Sequence, residues 1–304
     1  MVRASNFCKF GPAHKVAEGY STMCGHATIA LGRFFVDTHD PSVFPGREKL
    51  VYDADSQETL LRLHVPCGVV HVRVPTTGVG KDARSDGTRA VRFTSVPSFA
   101  SAVDVRVDIP EDQRWTQLTA AGRAYVTVDI AFGGAYYAIV SASELGFDDG
   151  ILAHDLRELD DATATVKALL APCRELFAHP SERDLEYLYG VIVVEERGER
   201  RELGLCFFAN QQIDRSPTGS GVCARVALSV AKRVLAVGDE VEYESLVSLD
   251  VPGNAFVGKA VSRTSGGGVV VEVGGRGFYT GAHCFLFETA LDGFSDGFEV
   301  RGHH

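Results

Sequence analysis

The chain has 304 residues, 45% hydrophobic and 23% charged, with a formal net charge of -10. Such a composition describes an ordinary globular protein with room for about two domains, with no need of a disulfide or metal staple. The acidic balance argues against nucleic acid or an anionic membrane as the main partner.

No apolar run reaches the roughly 20 residues of a membrane-spanning helix. The opening MVRASNFCKFGPAHK lacks the apolar core of a signal peptide. Seven scattered cysteines without a Cys-x-x-Cys pair fit a reducing compartment. The expected location is the cytoplasm.

The first element is a helix start within EGYSTMCGHATIALGRF (18–34), where Cys24 and His26 stand two apart. Runs rich in β-branched and aromatic residues follow: VVHVRV (69–74), AVRFTSV (90–96), AVDVRVDI (102–109) and AYVTVDIAF (124–132). A Gly133-Gly134 break separates the last of these from AYYAIV. The first half therefore predicts mostly antiparallel sheet. Apolar spacings of three and four predict a helix over 155–178, with Pro180 just beyond. Two short apolar runs, YGVIVVEE and LGLCFFAN, precede a second helix from near Gly219 to a stop at Gly238. Strands are expected again in EVEYESLVS, AFVGKAV, GGVVVEV and GFYTGAHCFLFE. The fold class expected is α+β, with two sheet-rich domains that each hold a long helix.

CGHATIALGR and TGSGVCARVA share a faint internal likeness. Each is a small-residue turn feeding an Ala-rich helix. A helix start carries unpaired N–H groups and a partial positive charge, and it attracts anions. A cysteine at such a start has its thiol acidity increased, and a thiolate serves as nucleophile or general base. Two facing starts would hold a carboxylate and stabilise charge developing beside it.

Taken one at a time, these segments have plainer readings. Cys24 alone reads as a buried structural thiol, and His26 as a satisfied polar residue or cap. A Cys-x-His zinc site needs two further ligands, which nothing nearby supplies. DRSPTGSG (214–221) alone is a turn with cap chemistry, and DIAFGGAYYAIV a strand–turn–strand.

Taken together, GYSTMCGHATIALGRF, DIAFGGAYYAIV, HPSERDLEYLYGVIVV, DRSPTGSGVCAR and GRGFYTGAHCFLFETALDGF resemble the proline racemase family. That family includes proline racemases, hydroxyproline 2-epimerases and trans-3-hydroxy-L-proline dehydratases. The segments occur in the family's order and cover most of the chain from Glu18 onward. The resemblance implies a fold like diaminopimelate epimerase. It has two similar α+β domains, each with a sheet wrapped on a central helix, and the active site lies between them. The implied division is 1–122 for the first domain and 123–284 for the second. Only 23 residues precede Cys24, fewer than the family carries there, so the first domain is expected to be N-terminally incomplete and completed by 285–304. A missing strand would leave an open sheet edge.

Racemases and epimerases of the family carry a second Cys where this chain has Thr218, and a Cys/Thr pair resembles the dehydratases. The resemblance then implies that Cys24 takes the Cα proton of trans-3-hydroxy-L-proline and that the 3-hydroxyl leaves as water. It makes Gly25 and His26 substrate contacts and Asp214 the partner of the ring nitrogen. Thr218, Gly219 and Ser220 complete the pocket around the carboxylate. His26 is a candidate to protonate the departing hydroxyl, and Cys223 a packing residue. No metal, pyridoxal phosphate or nicotinamide is implied. The implied partner is a small imino acid, and the implied assembly a homodimer. The alternatives are a proline racemase or 4-hydroxyproline 2-epimerase, which Thr218 disfavours, and a non-catalytic truncated member, which the short start suggests.

Overall fold

The computed structural model describes residues 2–3 and 21–282. The expected strand in GFYTGAHCFLFE lies partly outside them and its described part, 277–282, is not strand; the expected contribution of 285–304 lies wholly outside them.

Fifteen strands and five α-helices make up the described fold. The strands are β1 (Val2–Arg3), β2 (Val51–Asp53), β3 (Glu58–Val65), β4 (Gly68–Thr77), β5 (Arg84–Ser85), β6 (Val91–Thr94), β7 (Phe99–Asp108), β8 (Tyr125–Phe132), β9 (Tyr136–Ser141), β10 (Leu188–Glu196), β11 (Arg201–Phe208), β12 (Gln212–Ile213), β13 (Glu240–Glu244), β14 (Phe256–Arg263) and β15 (Val269–Gly275). The helices are α1 (Gly25–Asp37), α2 (Thr116–Ala120), α3 (Leu156–Leu170), α4 (Gly219–Ala231) and α5 (Leu246–Leu249).

Hydrogen bonding links the strands in the order β1-β3-β4-β6-β15-β14-β13-β11-β10-β9-β8-β7, with β2, β5 and β12 attached to β3, β4 and β11. Three pairs are parallel, β1/β3, β9/β10 and β11/β13. A parallel pair needs a crossover connection. Helix α3 lies in the β9–β10 connection and α4 in the β11–β13 connection. The segment between Phe208 and Glu240, which carries DRSPTGSG, is thus a crossover that must leave the sheet and return over it.

Two large cores result. One joins α1 and one face of α4 (Ile29, Val36, Val222, Val226) to β3, β4, β6 and β13–β15. The other joins α3 to β7–β11. A third cluster lies on the opposite face of β8–β11, where Tyr137, Tyr189, Ile192 and Cys206 meet Ala224 and Leu228 of α4. Strands β9 and β10 are therefore covered on both faces, as their near-continuous apolar sequences require. Side chains alternate across a strand, so Tyr136 enters the α3 core and Tyr137 the α4 side.

Three local expectations need correction. The helix predicted over 155–178 ends at Leu170. Pro172, whose ring and missing N–H cannot continue a helix, stops it, and 174–177 forms a separate 3-10 turn. Asp155 and Glu158 close its start as a capping box. Helix α4 ends at Ala231 rather than near Gly238, and Arg233 turns left-handed with φ 61°. EVEYESLVS is strand only to Glu244; Ser245 then caps the short α5. Strands β2 and β3 were not expected at all.

Candidate active site

Cys24 and Thr218 occupy the same position in their helices. Each is the residue before the first turn, of α1 and α4 respectively. Neither uses its side chain as a cap, and neither helix has an acidic residue in its first turn. Helices usually satisfy these N–H groups with a cap or offset the dipole with an acid. Both starts therefore remain open to an anion.

The two starts face each other. A Cβ built on Gly25 would come 2.5 Å from the Cα of Gly219, and one on Gly219 would come 2.6 Å from the Cα of Gly25. No side chain fits between them, and glycine is required on both sides. The buried Phe93 ring lies beneath the pair.

The Gly133-Gly134 turn between β8 and β9 braces both starts from below. A Cβ on Gly133 would lie 2.1 Å from the Ser220 carbonyl oxygen. The Thr22 hydroxyl donates to the Gly134 carbonyl. The Met23 carbonyl accepts from the Ser21 hydroxyl at 3.1 Å and from the Ser220 hydroxyl at 3.4 Å. The peptide leading to Cys24 is thereby tied to the first turn of α4.

The DRSPTGSG loop is organised around Asp214. One carboxylate oxygen accepts the Ser216 N–H at 2.9 Å, and the other accepts the Thr218 hydroxyl at 3.1 Å. Ser216 Oγ accepts the Thr218 N–H at 3.1 Å and pairs with His26 Nδ1 at 2.9 Å. His26 Nδ1 lies 3.7 Å from Asp214 Oδ1. Thr218 holds φ 63° and ψ 93°, a conformation costly for a β-branched residue, by about 1–3 kcal/mol. The network keeps it there. Arg225, on α4 and 2% exposed, donates to the Pro217 carbonyl at 2.8 Å and pairs with Glu202 at 2.8 Å. Its guanidinium lies over the Tyr243 ring, 4.5 Å from the centroid. Burial pushes the Glu202 carboxyl above its ordinary range, and Arg225 pulls against that shift.

All seven residues singled out from the sequence, Cys24, Gly25, His26, Asp214, Thr218, Gly219 and Ser220, line one small cavity of about 50 Å³. Ser21, Met23, Tyr137, Tyr189 and Phe208 complete its wall. Sequence reasoning missed these five, although Ser21, Met23, Tyr137 and Tyr189 stand in segments quoted for the resemblance. The Tyr137 hydroxyl pairs with Ser220 Oγ at 2.7 Å, and the Tyr189 and Phe208 rings stack with centroids 5.7 Å apart. Burial drives both tyrosine hydroxyls well above their usual range, so they stay protonated. Larger hollows occur elsewhere, one of about 590 Å³ beside Phe44 and Arg47. That hollow contains none of these residues. The small cavity has no Lys or Arg among its lining residues.

Cys223 is fully buried, its thiol pushed up to about 12 by burial, as suits a packing residue. Among the described residues, no three His, Cys, Asp or Glu side chains are grouped to hold a metal ion. Nor does any described helix have the length and apolarity to cross a membrane.

The family model for proline racemase matches residues 6–299. The chain belongs to the proline racemase family. Among curated members of that family, the trans-L-3-hydroxyproline dehydratase of Xenopus tropicalis is 41% identical over 290 residues, covering 93% of this chain and 73% of the relative. The human trans-3-hydroxy-L-proline dehydratase is 39% identical over 291 residues, with the same coverages of 93% and 73%. Solved structures of the family share the fold. A probable proline racemase from Agrobacterium radiobacter, with bound carbonate, superposes with a TM-score of 0.69 at 21% identity, covering 95% of this chain and 78% of that one. A hydroxyproline epimerase from Agrobacterium vitis, with bound trans-4-hydroxy-L-proline, also gives 0.69, at 20% identity and coverages of 93% and 72%. The expected α+β architecture of the epimerase type is thus the observed one.

Proposed function

We propose that this protein removes water from trans-3-hydroxy-L-proline to give Δ1-pyrroline-2-carboxylate, a hydro-lyase reaction with Cys24 as the base and no cofactor. The observation that carries this reading is the pair of residues before the two facing helices, Cys24 and Thr218. The resemblance to dehydratases of Xenopus and human at about 40% identity supports it.

The substrate carboxylate sits against the open first-turn N–H groups of Gly25, His26, Gly219 and Ser220. Asp214, with His26 beside it, takes the ring nitrogen as a carboxylate–ammonium pair. The Cys24 thiolate removes the Cα proton. Negative charge grows on the carboxylate, where fixed N–H donors meet it without reorganisation. The electron pair from Cα–H forms the Cα–C3 double bond as the C3–O bond breaks. The resulting enamine tautomerises to the imine. Thr218 offers an aliphatic hydroxyl whose proton goes to Asp214. It is too weak an acid to return a proton to the second face of Cα. This disfavours a racemase or epimerase as the main activity.

The remaining assignments belong to the same reading. The proposed division is 1–122, which holds α1, and 123–284, which holds α4, with β7 packed across it into the core of the second unit and β13–β15 into that of the first. The protein works as a homodimer in the cytoplasm, a location in keeping with the thiols of Cys67, Cys173, Cys206 and Cys223.

The test is incubation with trans-3-hydroxy-L-proline and trapping of the imine with o-aminobenzaldehyde. Imine formation is expected, and Cys24→Ser should lower its rate by about 10²–10⁴-fold, the scale of a lost general base. If no imine forms while L-proline loses optical rotation, the isomerase alternative stands. If neither occurs in a folded, monodisperse sample, the non-catalytic alternative stands.

A further inference from the structure

The Cys24–Thr218 pair accounts for the Cα proton and leaves open how the C3–O bond is helped to break. The stereochemistry of the substrate narrows the answer. In a trans-3-hydroxy-L-proline the hydroxyl and the carboxylate lie on opposite faces of the ring. The Cα hydrogen also lies opposite the carboxylate. The hydrogen and the hydroxyl therefore share a face, and the group that removes one stands over the other.

The pocket has two unlike sides. Asp214, His26 and Thr218 form an ionic side, joined by hydrogen bonds directly and through Ser216. Tyr137, Tyr189 and Phe208 form an aromatic side, in which Tyr189 lies edge-on to Tyr137 and stacks on Phe208. The two ring neighbours of Cα are nitrogen and C3. With nitrogen turned to Asp214, C3 turns to the aromatic side. Tyr189 lines the same small cavity as Cys24 and Ser21, and burial keeps its hydroxyl protonated. Ser21 spends its own proton on the Met23 carbonyl.

Tyr189 also owes its aim to an irregularity. The register of β10 against β9 slips between Leu188 and Gly190, which pair with the consecutive residues Tyr136 and Tyr137. Tyr189 is the extra residue of that bulge. Bulges of this kind re-aim a side chain and recur beside active sites.

We propose that Tyr189 is a catalytic residue that donates a hydrogen bond to the departing 3-hydroxyl on the Cys24 face, so that a single thiol serves a same-face elimination. Cys24 takes the Cα hydrogen as a proton, and the C–H electron pair becomes the Cα–C3 π bond. The C3–O electron pair leaves with oxygen. The new thiol gives that oxygen the proton it has just taken, forming water and regenerating the thiolate. Tyr189 keeps its own proton throughout, and Thr218 on the far face exchanges none. The inference rests on the dehydratase reading and goes beyond it by naming the leaving-group side of the site.

The experiment compares the full-length protein with Tyr189→Phe in two assays. One is imine formation from trans-3-hydroxy-L-proline. The other is exchange of the Cα hydrogen of L-proline in deuterium oxide, which has no leaving group. Dehydration kcat should fall about 10²-fold, the scale of losing one donor to a developing oxyanion, with KM changed no more than threefold and proline exchange within twofold of the wild type. An equal fall in both assays, or none in either, overturns the proposal. Should Tyr189→Phe fail to fold, the wild-type protein decides with cis-3-hydroxy-L-proline, whose hydroxyl lies away from Cys24. Its Cα hydrogen should exchange without imine formation, and imine formation at a rate near that of the trans isomer overturns the proposal. A wild-type protein that forms no imine from the trans isomer overturns the dehydratase reading itself. A wild-type dehydratase indifferent to Tyr189→Phe overturns only the role of Tyr189.

Discussion

Gly25 and Gly219 meet backbone to backbone, so that a methyl group on either would lie within 2.6 Å of the other's Cα. The site exists because two helix starts approach this closely. Gly25→Ala and Gly219→Ala should each force the starts apart. The expected cost is about 1–3 kcal/mol of stability, typical of an overpacked core. Loss of imine formation should exceed what the fraction unfolded accounts for. Urea midpoints and steady-state rates on the same samples check this, and an active, fully stable Gly219→Ala would contradict the geometry.

Thr218→Cys tests the proposal that a hydroxyl at this position cannot return a proton to Cα. A thiol there would stand at the start of α4, opposite Cys24, where its acidity is favoured. The variant should acquire racemisation of L-proline, read as decay of optical rotation together with deuterium entry at Cα. If deuterium entry stays at the wild-type rate, the two side chains do not address opposite faces of one carbon.

Arg225 couples the loop to the sheet through Pro217, Glu202 and Tyr243. Arg225→Met leaves the partly exposed Glu202 carboxylate without its partner, and the cost should fall below the about 3–5 kcal/mol of breaking a fully buried pair. Adding Glu202→Gln should recover part of the stability. Activity should stay low, because the Pro217 carbonyl still lacks its donor and Thr218 loses support for φ 63°. Recovery of both together would show that Arg225 acts on stability alone.

The Cys206 and Cys223 thiols are buried and pushed up to about 12. In the unfolded chain they ionise near the ordinary thiol value, so above it the unfolded state binds fewer protons than the folded one. Stability from these groups is complete below that ordinary value and is lost as pH rises toward about 12. One pH unit above the ordinary value, each thiol should cost about 1.4 kcal/mol. Denaturation midpoints under reducing conditions at pH 8 and 10 should differ in that direction. A Cys206→Ala/Cys223→Ala protein should show a smaller difference.

The helix starts were legible in the sequence because their signals are local. MCGH and DRSPTGSG each place small residues and a functional side chain ahead of an Ala-rich run. Strands β7–β11 were legible for a similar reason, being β-branched and aromatic over six to ten residues. Strand β3, ETLLRLHV, was not. Its leucines and charged residues suit a helix as well as a strand, and pairing along its whole length with β4 decides the matter. The end of α3 at Leu170 is written in Pro172, not in Pro180.

What the sequence by itself determined was the pair of helix starts and the contrast of thiol with hydroxyl between Cys24 and Thr218, through short motifs whose chemistry does not depend on distant contacts. That the two starts touch, that Asp214 turns Thr218 inward, and that Ser21, Tyr137, Tyr189 and Phe208 close the wall were decided only by tertiary structure. A strand residue's face depends on the register of its pairing. The bulge at Tyr189 depends on how β10 meets β9, and that is a property of two strands together.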